Sequence, residues 1–239
     1  MKTINTYISE KLQLNKKLAD SQQKYNYFPK TKQELTDILK ELIKERGYKA
    51  DLNDIDVSKI EDMSYVFSAN YPNIKKFNGD ISRWDTSKVK NMEMMFWSSN
   101  FNNDISNWDV SHVETMWHMF AYSRFNKDIS RWDVSNVKIM KKMFEGSNFN
   151  GDISTWNMKN VKDTSFMFYD SKFDGKRGDI SRWDISNVQN MQEMFENTNF
   201  NGDLSNWNVN PFTIVWNMFK NTPLARKPPE WYKKCKNNT

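Results

Sequence analysis

Carboxylate side chains recur along this chain at a regular sequence interval, and they are the most regularly spaced of its chemically reactive groups. One row holds Asp80, Asp104, Asp128, Asp152, Asp179 and Asp203, and a second holds Asp85, Asp109, Asp133, Asn157, Asp184 and Asn208. Stacked carboxylates repel one another, so arginines, backbone donors or a cation must offset the repulsion. Calcium is one interpretation, but no copy matches the EF-hand loop D-x-[DN]-x-[DN]-G. We favour a structural role for the first row, in which the side chains bind turn amides.

Few residues are available for a catalytic or transition-metal centre. The 239 residues include two histidines, His112 and His118, and one cysteine, Cys235. A single cysteine excludes an internal disulfide, and histidines without thiol neighbours disfavour a zinc site. The seven glycines form no phosphate-binding loop. Because the carboxylates repeat with the sequence period, whereas a catalytic pair should be a local exception, we expect a protein that is not an enzyme and needs no cofactor or metal.

The elements that position these residues are copies of one sequence. The clearest copy runs from Phe101 to Phe120, and successive aspartates of the first row are 24, 24, 24, 27 and 24 residues apart. The same step is kept by Trp84, Trp108, Trp132, Trp156, Trp183 and Trp207, and by the Met-Phe pairs that end at Phe96, Phe120, Phe144, Phe168, Phe195 and Phe219. A fixed period in this range indicates a stacked repeat architecture.

The spacing within a copy predicts the fold class. Apolar residues fall at i, i+3, i+5 and i+8, as in leucine-rich repeats, and alternation at Trp108 and Val110 predicts a short strand. Capping boxes predict that a short helix follows; they are Ser58 with Glu61, Ser111 with Glu114 and Ser186 with Gln189. We therefore predict an α/β repeat solenoid of the leucine-rich type, with a parallel sheet on one face and short helices on the other.

The methionine and tryptophan rows are interpreted as core. Methionines could bind copper or line a pliable groove, and tryptophans could stack on a carbohydrate or a base. However, Met92, Met116, Met140 and Met191 recur on the predicted inward side, and the tryptophans occupy the inward slot of the predicted strand. Packing inside the stack is the prediction for both rows.

Four segments are predicted along the chain. Residues 1–28 comprise a short helix over 3–19 and a polar linker, and residues 29–50 hold an amphipathic helix over 32–46 that covers one end of the stack. Residues 51–219 form seven repeats, of which the first is degenerate, and residues 220–239 form a C-terminal cap and basic tail. In the last repeat, Phe212 and Val215 are predicted to replace the usual valine and methionine.

The repeat F-N-x-D-I-S-x-W-D-V-S-x-V-x-x-M-x-x-M-F resembles the BspA-like leucine-rich repeat family of bacterial surface proteins and lipoproteins, over about residues 52–219. The resemblance implies a solenoid used for attachment or protein interaction, with no catalytic residues to carry over. The opening residues resemble those of phage-encoded proteins and show no signal peptide or lipid anchor. We therefore expect a cytoplasmic or virion-associated protein rather than one displayed on the cell surface, and no membrane insertion.

One outward row varies while its neighbours repeat, and it is the predicted partner-binding site: Arg83, Asn107, Arg131, Thr155, Arg182 and Asn206. This predicts a non-catalytic module that binds a protein partner through its strand face. One alternative is a structural or accessory component of a phage virion or other assembly, docked by the N-terminal segment. Another is nucleic-acid binding through the arginines and the basic tail. The net charge of +5, interpreted as spread along the chain, gives a weak preference for anionic partners.

Overall fold

The computed structural model describes residues 25–237, and in that range the repeats stack along one axis. We number the copies 1 to 7 by their terminal phenylalanines, Phe67, Phe96, Phe120, Phe144, Phe168, Phe195 and Phe219. Helix α1 (Lys32–Arg46) precedes the copies and helix α2 (Glu230–Lys236) follows them; short 3₁₀ helices span Ile74–Lys76 and Pro223–Arg226. The helix predicted over 3–19 lies outside the described residues.

The predicted α/β solenoid with a parallel sheet and short helices is wrong. Residues 25–237 contain no β-strand, and neighbouring copies meet instead at isolated parallel bridges that run through Asp62, Asn91, Thr115, Ile139, Asp163, Asn190 and Ile214. Trp108 and Val110 are buried as expected, but turns flank them. The Trp108 N–H donates to Ile105 O at 3.1 Å, and the Val113 N–H donates to Val110 O at 2.9 Å. These turns leave no extended run that could build a sheet ladder.

The second half of each copy is a run of β-turns and not the predicted short helix. In copy 3, the Met119 N–H donates to Met116 O, and the Ala121 N–H donates to His118 O, both at 3.1 Å. His118 and Tyr122 have φ values of 53° and 56°, in the left-handed region that a right-handed helix cannot contain. Successive i→i+3 turns also bring every third residue to the same side. The spacing of the apolar residues was therefore compatible with a short helix and also with a run of β-turns.

Hydrogen bonds between copies stabilise this left-handed backbone. Twelve residues other than glycine have positive φ within the described chain, and each such conformation costs about 1–2 kcal/mol. From Tyr65 to Asn197, the amide of every one of them donates to a carbonyl oxygen of the following copy; the Met94 N–H to Trp117 O distance, for example, is 2.8 Å. The conformation of each copy therefore depends on its neighbour.

The core consists of side-chain rows along the stack axis. The phenylalanines that end the copies are stacked with ring centroids 5.3–6.1 Å apart, beside a second row that runs from Phe77 to Phe200. The prediction that the methionines are core is confirmed, since Met92, Met116, Met140 and Met191 are fully buried. Each layer thus contributes a few large side chains to one continuous core.

The tryptophan row is core, as predicted, and it also joins the copies. Each indole Nε1–H donates to a backbone carbonyl oxygen of the preceding copy, from Leu52 O for Trp84 to Ile180 O for Trp207, at 2.9–3.2 Å. Trp231 of α2 continues the row, because its Nε1–H donates to Leu204 O at 2.7 Å. Helix α2 is therefore attached to the stack as a further copy would be.

Helix α1 covers the other end, and its bounds agree with the helix predicted over 32–46. The Thr31 hydroxyl accepts a hydrogen bond from the Glu34 amide, and Gly47, with φ of 86°, ends the helix. The buried face carries Leu35, Thr36, Leu39, Leu42 and Ile43. Residues of the predicted linker also contact copy 1, since Tyr27 forms a parallel bridge with Ile55.

Copy 7 departs from its predicted register at one residue. Phe212 was expected to occupy the slot of the usual buried valine, but its side chain is 76% exposed. Thr213 is buried instead, and its hydroxyl donates to Val188 O at 3.0 Å. Val215 is buried as predicted. The Asn210 side chain accepts the Phe212 N–H in a turn, which directs the phenylalanine outward.

Candidate interaction surface

The row predicted to bind a partner is exposed in every copy, but it lies on turns and not on a strand face. Its members are Arg83, Asn107, Arg131, Thr155, Arg182 and Asn206. Arg83 contacts Asp51, with 3.4 Å between Nη2 and Oδ2, and the Thr155 hydroxyl donates to Ser130 O at 2.6 Å. The row is therefore a line of separate surface side chains, with aspartates on both sides in sequence.

Both aspartate rows close turns. In the first row, each carboxylate accepts the amide of the serine two residues later, as Asp128 does from Ser130 at 2.9 Å. Five of the six members of the second row also accept the amide two residues later, as Asp133 does from Ser135 at 3.0 Å. Hydrogen bonds from the amide and hydroxyl of Ser130 lower the pKa of Asp128, and those from the hydroxyl and amide of Ser135 lower the pKa of Asp133. The structural interpretation of the first row is confirmed, and it extends to the second. No group of three or more potential ligands within residues 25–237 is arranged to hold a metal ion.

A second surface varies much more between copies. We call it the turn face. It consists of the two residues after the first methionine-type position and the two residues after the Met-Phe pair of each copy: 93–94 and 97–98 in copy 2, then 117–118 and 121–122, 141–142 and 145–146, 165–166 and 169–170, 192–193 and 196–197, and 216–217 and 220–221. Copy 3 presents Trp117, His118 and Tyr122 on this face, whereas copy 4 presents Lys141 and Lys142. Identical backbone turns thus display different side chains in each layer.

Glu145 is at the centre of the turn face and is only 8% exposed. Its Oε1 accepts the Tyr122 hydroxyl at 2.6 Å, and its Oε2 lies 3.4 Å from His118 Nε2 and 3.3 Å from Lys142 Nζ. Burial alone would raise the pKa of Glu145, but these neighbours outweigh it and lower the pKa, so the carboxylate stays ionised. Burial and the carboxylate raise the pKa of Tyr122, which remains a donor.

This network holds aromatic side chains in fixed positions at the surface. The ammonium of Lys142 lies 4.8 Å from the ring centroid of Phe166, and the rings of Trp117 and His118 are 4.8 Å apart. A Cβ added at Gly146 would meet the Tyr122 ring at 2.5 Å, so the glycine makes room for the ring. Tyr122 is nevertheless 51% exposed. Contacts between three adjacent copies therefore orient this surface without covering it.

The turn face was not predicted from the sequence. The signal was present, because the turn-face residues change character from copy to copy, while the Met-Phe pair beside them is the same in copies 2 to 7. A short helix was predicted for this half of each copy, and the partner-binding site was predicted at the arginine row instead. Exposed Trp216 in copy 7 also belongs to the turn face, and its side chain is 52% exposed.

No helix within residues 25–237 is long and apolar enough to cross a membrane. Comparison with curated protein sequences and with solved structures returned no match. A family model described as "Mycoplasma protein of unknown function, DUF285" matches residues 36–148, 98–179 and 121–232. These overlapping matches cover most of the chain, and they support the resemblance to BspA-like repeat proteins at the level of the family. The chain therefore belongs to the DUF285 family.

Proposed function

We propose that this protein is a non-catalytic binding protein whose turn face contacts a protein partner. The observation that carries the proposal is a rigid, aromatic-rich surface that changes from layer to layer on an otherwise repetitive stack. Tryptophan and tyrosine are enriched among the residues that dominate the energy of protein interfaces. Their two rotatable side-chain bonds also cost little entropy when they are fixed.

The turn face is better suited to recognition than the arginine row. Three of the six positions in the arginine row are Arg, and the others are small polar residues, so the row repeats a limited chemistry. The turn face combines aromatic, basic and acidic groups, and the network around Glu145 fixes their geometry. A preorganised surface loses less entropy on binding, which favours affinity. The arginine row remains the competing prediction.

Affinity capture from lysate of the encoding organism, followed by mass spectrometry, tests the proposal. The turn-face variant combines Tyr122→Ala with Trp216→Ala. A matched control combines Phe28→Ala with Phe212→Ala, which removes two rings of similar or greater exposure outside the turn face. A partner that binds the wild type and the control, but not the turn-face variant, supports the proposal.

A third variant tests the arginine row through Arg83→Ala, Arg131→Ala and Arg182→Ala. Loss of the partner in this variant, with full retention in the turn-face variant, would transfer the proposed site to the arginine row. Purified partner and protein then give a dissociation constant for each variant. Loss of two aromatic anchors should weaken binding by at least about 2 kcal/mol. Retention of full affinity by the turn-face variant refutes the proposal.

A further inference from the structure

The last copy of the stack has backbone N–H groups that are unpaired within the described chain, although the equivalent groups of every earlier copy donate hydrogen bonds to the next copy. In copies 1 to 6, four amides at alternate residues donate to carbonyl oxygens of the following copy. In copy 6 the donors are Met191, Glu193, Phe195 and Asn197, and the donor–acceptor distances are 2.8–3.1 Å. The corresponding amides of copy 7 belong to Val215, Asn217, Phe219 and Asn221, and none has an acceptor within residues 25–237. An open row of backbone donors can pair with another chain.

Helix α2 covers only part of this terminal edge, which we define as the four amides of copy 7. The ring of Tyr232 packs on Phe219, with centroids 4.9 Å apart, but Asn217 and Asn221 are exposed. A cleft of about 320 Å³ remains between copy 7 and α2, and its lining includes Asn217, Phe219 and Tyr232. The cleft therefore has an apolar floor beside open backbone donors.

Positive charge is concentrated beside this cleft, and not spread along the chain as expected. Residues 220–237 contain six basic side chains and one acidic side chain, a net charge equal to the +5 of the whole chain. Lys220 pairs with Glu196, and Lys233 pairs with Glu230. The other four cations have no carboxylate partner in the described part of the chain; they are Arg226, Lys227, Lys234 and Lys236. Two of the lysines that line the cleft are Lys220 and Lys236.

We infer that the terminal edge binds an extended acidic segment of a protein. Carbonyl oxygens of the segment accept hydrogen bonds from the Asn217 and Asn221 amides, as in strand addition to a sheet edge. Its carboxylates pair with Arg226, Lys227 and Lys236. The edge shares Asn217 and Asn221 with the copy 7 end of the turn face, but it uses their backbone amides, and the inference does not depend on the proposed function.

A peptide suits this edge better than a nucleic acid. Binding of single-stranded nucleic acid draws much of its energy from bases stacked on free aromatic rings. The two rings that line the cleft are engaged in the stack, since Phe219 is buried and Tyr232 packs against it. The basic surface alone would attract either polymer. The open N–H groups at alternate residues beside the cleft favour a polypeptide, because its backbone carbonyl oxygens can accept their hydrogen bonds.

The test is a titration of the isotopically labelled full chain, followed by amide NMR. The probe is a blocked eight-residue peptide of alternating glutamate and valine, and the control peptide has lysine in place of glutamate. We expect the Asn217 and Asn221 amide resonances to move with the glutamate peptide, while the Tyr122 amide stays unchanged. Equal binding of the lysine peptide, or shifts confined to residues away from copy 7, would overturn the inference.

Charge variants separate recognition at the edge from general attraction. The variant Arg226→Ala, Lys227→Ala, Lys236→Ala should bind the glutamate peptide about tenfold more weakly. The matched control changes the net charge equally at exposed lysines elsewhere, through Lys88→Ala, Lys127→Ala and Lys172→Ala. Equal weakening in both variants would contradict a site at the edge. So would tighter binding of an eight-residue oligothymidylate that moves the same resonances.

Discussion

Replacement of Trp132 by phenylalanine tests whether the tryptophan row joins the copies. Trp132→Phe removes the Nε1–H that donates to Ile105 O at 3.2 Å, and the site is almost fully buried. The carbonyl keeps its turn bond from the Trp108 amide at 3.1 Å, so it is not left unpaired. The lost bond then costs about 1 kcal/mol. The two fewer buried ring carbons cost about 1.6 kcal/mol more, at about 0.8 kcal/mol each.

The expected loss of about 2.5 kcal/mol is measured by urea denaturation followed by circular dichroism. Trp117→Phe is the matched control, because the Trp117 Nε1–H is buried without a hydrogen-bond partner in the described chain. The control removes an unsatisfied donor, which offsets its lost packing, so we expect a change within about 1 kcal/mol. Equal losses in the two variants would refute the hydrogen-bonding role of the row.

Three further predictions concern backbone, turns and register. Ser98→Gly should stabilise the protein by about 1 kcal/mol, because Ser98 has φ of 52° and glycine adopts this conformation without strain. Ser154 lies outside the left-handed region, so Ser154→Gly should destabilise the protein. The urea midpoints of the two variants should therefore move in opposite directions. The pKa of Asp128 is lowered in the folded state, so the carboxylate stabilises the fold above its unfolded-state pKa, and this contribution is lost as pH falls through the folded-state pKa. Asp128→Asn should therefore make the urea midpoint less dependent on pH between about pH 5 and 2. The same pH dependence in the variant and the wild type would contradict this prediction. Phe212→Ala should change the free energy of unfolding by less than about 0.5 kcal/mol, because the ring is exposed, whereas Phe195→Ala should lower it by about 3–5 kcal/mol. Equal changes in melting temperature for the two variants would place Phe212 in the core.

Buried side chains were predictable because burial imposes a period that the sequence records. The methionines, tryptophans and phenylalanines of each copy fall where the repeat placed them, and the ends of α1 carry ordinary capping signals at Thr31 and Gly47. The backbone was not predictable from the same pattern. A spacing of three residues brings side chains to one side in a helix and also in successive turns.

These turns could not be predicted from the local sequence, because several residues with left-handed backbone conformation are of types that rarely adopt it. Glycine and asparagine are the usual signals for positive φ, and Gly146, Asn197 and Asn217 provide them. Met94 and Phe166 occupy equivalent positions with φ of 50° and 58°, although neither residue favours that conformation. Hydrogen bonds to the next copy hold them there, and such bonds are invisible in a single repeat. The missed turn face follows from the same error.

Hydroxyl-radical footprinting of the complex identifies the exposed rings that the partner covers. The captured partner is added to the full chain, and side-chain oxidation is measured by mass spectrometry at the exposed rings. We expect oxidation of Tyr122 and Trp216 to fall on binding, while oxidation of Phe28 and Phe212 does not change. Unchanged oxidation of Tyr122 and Trp216 in a saturated complex would contradict the claim that the turn face binds the partner.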